Sequence, residues 1–159
     1  MVNLPVEILD KEKKKKIVKE LEIYGMENIP HLILKWGKRY RIFSGSIDND
    51  SLRVLLRDIN IDSIGLYFAS FEDDLRLSID SAQLFANQLK NGTLSLGEEQ
   101  SMQWFHGKDL ELNDTQKKEI NEFSGKYIIL KNNEDIIGVG KKNVRGIANF
   151  MPKERRIKN

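Results

Sequence analysis

The apolar positions of this chain change period several times, and those changes lay out its elements. Over residues 4–25, Ile8, Ile17, Leu21 and Tyr24 fall on one stripe with Val18 beside it, and Gly25 follows as a stop. This pattern predicts a helix. Residues 31–36 and 40–43 are β-rich runs joined by Gly37, Lys38 and Arg39, which predicts a hairpin. Leu52, Leu55, Leu56 and Ile59 share one face of a helix predicted over 51–59. The apolar run 64–71 reads as a mostly buried strand. Leu75, Leu77 and Ile79 alternate with polar residues, so another strand is expected there. Residues 80–89 then read as a helix. This first part is an α+β unit.

Asn91 and Gly92 mark a boundary. Residues 93–96 predict a short strand. Residues 98–106 predict a short helix in which Met102 and Phe105 lie three apart, with Trp104 beside them. Glu98 and Glu99 in its first turn suit the helix dipole, and Gly107 stops it. Residues 109–112 are strand-like, and the polar segment 113–125 holds a possible helix over 115–123. Two apolar strands, 127–130 and 136–139, flank a polar turn at 132–135, and a third short strand covers 147–151. There is no internal repeat, low-complexity segment or long linker.

Composition narrows the classes. The chain has 159 residues, enough for one full domain or two small ones, and 40% of them are hydrophobic. It has no cysteine, which excludes disulfides and thiolate metal sites and fits a reducing compartment. His31 and His106 are its two histidines, far apart in sequence, so a histidine-rich metal site or a Ser-His-Asp triad has little to build from. No apolar run approaches the ~20 residues of a bilayer span. The first charges follow the first apolar residues, unlike a leader or an anchor. A soluble, cytoplasmic protein with no membrane partner is expected.

Charge changes the picture more. Residues 1–71 carry 12 basic and 10 acidic side chains, residues 72–125 carry 5 and 11, and residues 126–159 carry 9 and 3, for a net charge of +2. A basic end on a nearly neutral chain fits a polyanion-binding face. It equally fits a basic end that pairs with the acidic middle, and charge alone leaves both open. The lysine run 13–16 lies among Asp10, Glu12, Glu20 and Glu22 and reads as a solvated helix face.

Catalytic patterns are missing. Gly138 and Gly140 form a Gly-x-Gly without a third glycine, followed by Lys141, Lys142 and Asn143 rather than a helix start. Such a pair marks a strand bend or a close backbone approach. The acids at 72–74 are consecutive in a turn, whereas catalytic carboxylates usually converge from separate elements. No zinc motif or nucleophile elbow is present. No catalytic residue, metal or cofactor is expected. What remains is a set of cations at the turns and ends of short strands: Lys141, Lys142, Arg145, Lys153, Arg155 and Arg156. Lysine and arginine neutralise phosphates without reading sequence, and arginine also stacks on bases.

Several stretches carry a resemblance. Leu94, Ser95 and Leu96, the following short helix, the segment Trp104, Phe105, His106, Gly107, Lys108, Asp109 and Leu110, and residues 127–130 and 135–140 resemble the PUA domain of RNA-modifying enzymes. The tail from Asn149 to Arg156 is similar to that of archaeal two-domain proteins, in which a pre-PUA domain precedes the PUA fold. It is also similar to the C-terminal region of some RNA cytosine methyltransferases. The layout resembles a group of large-subunit ribosome assembly factors.

The resemblance implies an α+β fold class, with an N-terminal α+β pre-PUA domain at 1–92 and a small PUA-type β-barrel at 93–159. It implies a non-catalytic protein that binds structured RNA, tRNA or rRNA, in RNA modification or ribosome assembly. The alternative is an adaptor that docks on a separate RNA-modifying enzyme. The family contacts carry over to His106, Gly107, Lys108 and Leu110, with Lys141 and Lys142 across the barrel. One departure stands out. Many PUA domains have Gly-Ala at the start of the first helix, where the backbone approaches RNA, and this chain has Glu99 and Gln100. A carboxylate there repels phosphate, which shifts the expected contact toward the basic tail. Of Trp104 and Phe105, at least one belongs in the core, and Phe105 is the favoured one.

Overall fold

The computed structural model describes residues 5–158. Its first element corrects the sequence reading. A strand, β1 (Val6–Ile8), precedes helix α1 (Lys11–Leu21). Asp10 accepts a hydrogen bond from the Lys13 backbone N–H and so caps α1, which leaves the period-two triplet Val6, Glu7, Ile8 to pair as a strand. Leu4, the first residue of the predicted helix, lies outside the described residues.

The chain then continues through β2 (Leu32–Trp36), β3 (Arg39–Phe43), α2 (Asn49–Asp58), β4 (Leu66–Phe71), β5 (Leu75–Leu77) and α3 (Ile79–Leu84). Ile79 opens α3 rather than ending β5, because Ser78 caps the helix through its side chain. The predicted helix 80–89 is split: α3 ends near Phe85 and a 3₁₀ turn covers Ala86–Gln88. The remaining elements are β6 (Thr93–Ser95), α4 (Glu98–Phe105), β7 (Leu110–Glu111), α5 (Asp114–Glu122), β8 (Tyr127–Asn132), β9 (Asp135–Lys142) and β10 (Gly146–Ala148), with a 3₁₀ turn at Lys153–Arg155.

Two five-stranded sheets result. The first is an antiparallel meander in the order β1-β2-β3-β4-β5. The second runs β6-β8-β9-β10-β7, with β6 parallel to β8 and the other pairs antiparallel. The closed barrel expected for 93–159 is not found among the described residues, since β6 and β7 are the two edges of an open order. No described helix is long and apolar enough to cross a membrane.

The strands β8 and β9 hold the molecule together. Tyr127 and Ile129 of β8, with Ile136 and Val139 of β9, join a cluster built mainly by residues 9–89, including Leu21, Met26, Ile33, Phe68 and Leu77. Their neighbours Ile128, Leu130 and Ile137 join a second cluster with Leu94, Trp104, Leu110, Ile120 and Ile147. A strand buried on both faces needs apolar side chains at successive positions, which is why 127–130 reads as an unbroken apolar run. One core therefore draws on both sides of residue 92. The Tyr24 hydroxyl, which donates to the Tyr127 carbonyl at 2.9 Å, adds a buried polar tie.

Candidate nucleic-acid interface

Helix α4 ends at His106, and Gly107 follows with φ +80°, a left-handed conformation that favours glycine. A Cβ on Gly107 would lie 2.5 Å from the Arg156 side chain. Arg156 therefore lies directly over this turn, and its Nε donates to the Met151 carbonyl at 3.0 Å. The next residue completes a strap. The Ile157 N–H donates to the Phe105 carbonyl at 2.8 Å, and the His106 Nδ1 lies 3.1 Å from the Ile157 carbonyl. Asn149 fixes the base of the loop by donating from Nδ2 to the Trp104 and Lys108 carbonyls. The C-terminal tail and the helix–glycine loop thus form one surface carrying His106, Lys108 and Arg156, with Lys153 and Lys158 exposed on the same tail.

The other expected contacts go elsewhere. Leu110 is only 1% exposed and belongs to the second core cluster, so its side chain offers RNA nothing. Lys142 is half-buried and donates to the Ile120 and Phe123 carbonyls at the end of α5. It neutralises a helix C-terminus, and burial pushes its ammonium pKa down. Lys141 points at Asp73 with a 2.9 Å ion pair, and Lys126 reaches the same carboxylate at 3.3 Å. The Tyr127 hydroxyl donates to the other Asp73 oxygen at 3.0 Å, and burial and Asp73 together raise the phenol to about 12. Arg155 grips Asp80 with two hydrogen bonds of 3.0 and 2.9 Å. Arg145 is exposed in the β9–β10 turn, apart from the tail.

The cations of the basic end therefore divide into two sets. Lys126, Lys141 and Arg155 pair with the acidic middle of the chain, while Lys108, Lys153 and Arg156 keep their charge at the surface. Asp73 and Asp80 are the residues missed at the sequence level, and the net acidity of 72–125 was their signal.

The helix start that departs from the PUA pattern has a defined job. Gln100 accepts from the Gly97 N–H and Gln116 accepts from the Asn113 N–H, so each side chain closes the N-terminus of its own helix. The two amides also bond each other at 3.0 Å in both directions. Gln100 joins α4 to α5, and Glu99 is exposed beside it.

Trp104, not Phe105, is the fully buried aromatic of its pair. Its indole N–H donates to the Ile137 carbonyl at 3.2 Å, and its ring fills the space a side chain at Gly138 would need. Phe105 packs half-buried against the same cluster. The Gly-x-Gly is thus a close approach of strand to indole.

No protein-family model matches the chain, and no curated protein matches it. Among solved structures the chain is similar to a conserved PUA domain protein from Thermoplasma acidophilum. The TM-score is 0.58 at 13% identity, with 94% of this chain and 95% of that one covered. This likeness extends through both sheets and shows a shared fold.

Proposed function

We propose that this protein is a non-catalytic RNA-binding protein of the PUA type, with residues 1–92 as a pre-PUA domain and 93–159 as the PUA domain. In this reading it serves tRNA or rRNA modification, or ribosome assembly. The observation that carries it is the strap that brings Arg156 over Gly107, beside His106 and Lys108, on a fold shared with a PUA domain protein. The strap gathers the exposed Lys108 and the half-buried Arg156 around one turn. These are the groups that neutralise phosphates and recognise RNA by shape and backbone.

The test is affinity for tRNA and for rRNA hairpins across salt concentrations. Neutralising three or more phosphates predicts an affinity that falls more than about tenfold between low and moderate salt. Affinity that is flat with salt, or no binding at all, rejects the reading.

A further inference from the structure

The outer face of the first sheet carries a row of residues that neither core uses. Trp36, Arg39, Ser70 and Arg76 are direct cross-strand neighbours on β2, β3, β4 and β5, so all four side chains share one face. Tyr67 pairs with Arg41 in the adjoining row, and the Arg39 guanidinium lies over the Tyr67 ring at 5.9 Å. At the far end Arg76 stacks 4.9 Å from the ring of Phe150, which comes from the other half of the chain and is 43% exposed. Three strand spacings put Trp36 and Arg76 about 14 Å apart.

Two further observations point to a ligand. Tyr67, Arg76, Ser78 and Phe150 line a cleft of about 310 Å³ between the halves. Ser70, in the middle of the row and 3% exposed, has a buried hydroxyl with no hydrogen-bond partner. Among the described residues no acid is paired with Arg39, Arg41 or Arg76. The nearby acids Glu72 and Asp80 are taken by Lys38 and Arg155. Arg41 is turned to the Ile64 and Gly65 carbonyls and is structural. Two acids line the cleft wall, Asp80, which is paired with Arg155, and Glu154.

We propose that this face is a second RNA site, taking a single-stranded segment whose unstacked bases lie on Trp36, Tyr67 and Phe150 while Arg39 and Arg76 hold the backbone. Aromatic faces bind any base by stacking, and interleaved guanidinium groups supply charge and a second stacking surface. A row of this length suits two or three bases. The site rests on the RNA-binding reading but uses a different surface from the loop and tail.

The experiment uses the full chain with two probes, an oligouridine of about a dozen nucleotides and a stable RNA hairpin. Trp104 also lines the cleft, so fluorescence quenching on binding is assigned to Trp36 by its loss in Trp36→Phe. Oligouridine is expected to quench the wild type. Arg39→Ala/Arg76→Ala and Phe150→Ala should each weaken its binding at least about fivefold. Ultraviolet crosslinking of the wild type to the same oligouridine should mark Trp36, Tyr67 or Phe150, a readout that does not depend on how any variant folds. Crosslinks confined to 106–108 and the tail, or wild-type oligouridine affinity in folded Arg39→Ala/Arg76→Ala, overturn the second site. Binding of the hairpin in that case leaves the loop-and-tail reading standing. Failure of both probes to bind overturns both.

Discussion

Arg155 gives both ends of its guanidinium to one carboxylate, Asp80, and so ties the C-terminal turn to helix α3 of the other half. The bidentate geometry fixes the turn more firmly than a single contact would. The side chains remain 45% and 34% exposed, which limits the energy involved. A double-mutant cycle of Arg155→Ala and Asp80→Ala should give a coupling of about 0.5–1 kcal/mol in unfolding. RNA affinity should change little in either single variant. A large loss of affinity with no coupling to Asp80 would return Arg155 to the binding surface.

Removing Lys108, Lys153 and Arg156 together should weaken RNA binding and flatten its salt dependence. Each lost phosphate contact lowers the slope of log affinity against log salt by about 0.7–0.9. The check is a titration of one RNA hairpin at several salt concentrations. An unchanged slope would mean that these cations do not meet phosphate.

Gly107→Ala tests the strap itself. Alanine at φ +80° is strained, and its Cβ would displace Arg156. Thermal unfolding should show a loss of about 1–2 kcal/mol. Hydrogen exchange at the Ile157 amide should quicken as its bond to Phe105 loosens. Protection equal to the wild type would mean that the tail docks without the glycine.

Gly138→Ala should be costly for a different reason. The new methyl would overlap the Trp104 indole, which is fully buried and held by its bond to Ile137. Overpacking of this kind costs about 1–3 kcal/mol. Denaturant unfolding followed by tryptophan fluorescence should show the midpoint moving down.

Asp73 gives the fold a dependence on acid. The Lys141 ammonium, with the Tyr127 hydroxyl and Lys126, holds its carboxyl well below the usual carboxylate range. A depressed carboxylate stabilises the fold above its unfolded pKa and loses that contribution as pH falls toward its folded value. The melting temperature of the wild type should therefore fall more steeply on acidification below the usual carboxylate range than that of Asp73→Asn. Parallel curves for the two proteins would show that this carboxylate is not linked to folding.

The sequence showed elements better than it showed partners. Strands β8 and β9 were plain because burial on both faces demands consecutive apolar residues, and the β2–β3 hairpin was plain from its Gly37 turn. Val6 and Ile8 read as helix because Ile8 continues the stripe of α1. In the site, the cations could be counted but not assigned. Asp80 lies 75 residues from Arg155 and Asp73 lies 68 from Lys141, and no local pattern reports such distances. Arg155 and Arg156 are adjacent, yet one reaches across to the first half and the other caps a glycine. The same limit applied to Trp104 and Phe105. Neighbours on a helix point about 100° apart, and the packing of Trp104 against Gly138 and the second cluster lies outside any local pattern.

The core that β8 and β9 share with the first half has a consequence for synthesis on the ribosome. Residues 9–89 leave the exit tunnel first, but their cluster also contains Tyr127, Ile129, Ile136 and Val139. Until β9 emerges, Leu21, Met26, Phe68 and Leu77 have one wall missing. At a translation rate of roughly 5–20 residues per second, that interval lasts several seconds. During it the nascent chain carries an incomplete apolar surface, so the last third of the chain, which holds the exposed cations of the tail, is also the part that closes the fold.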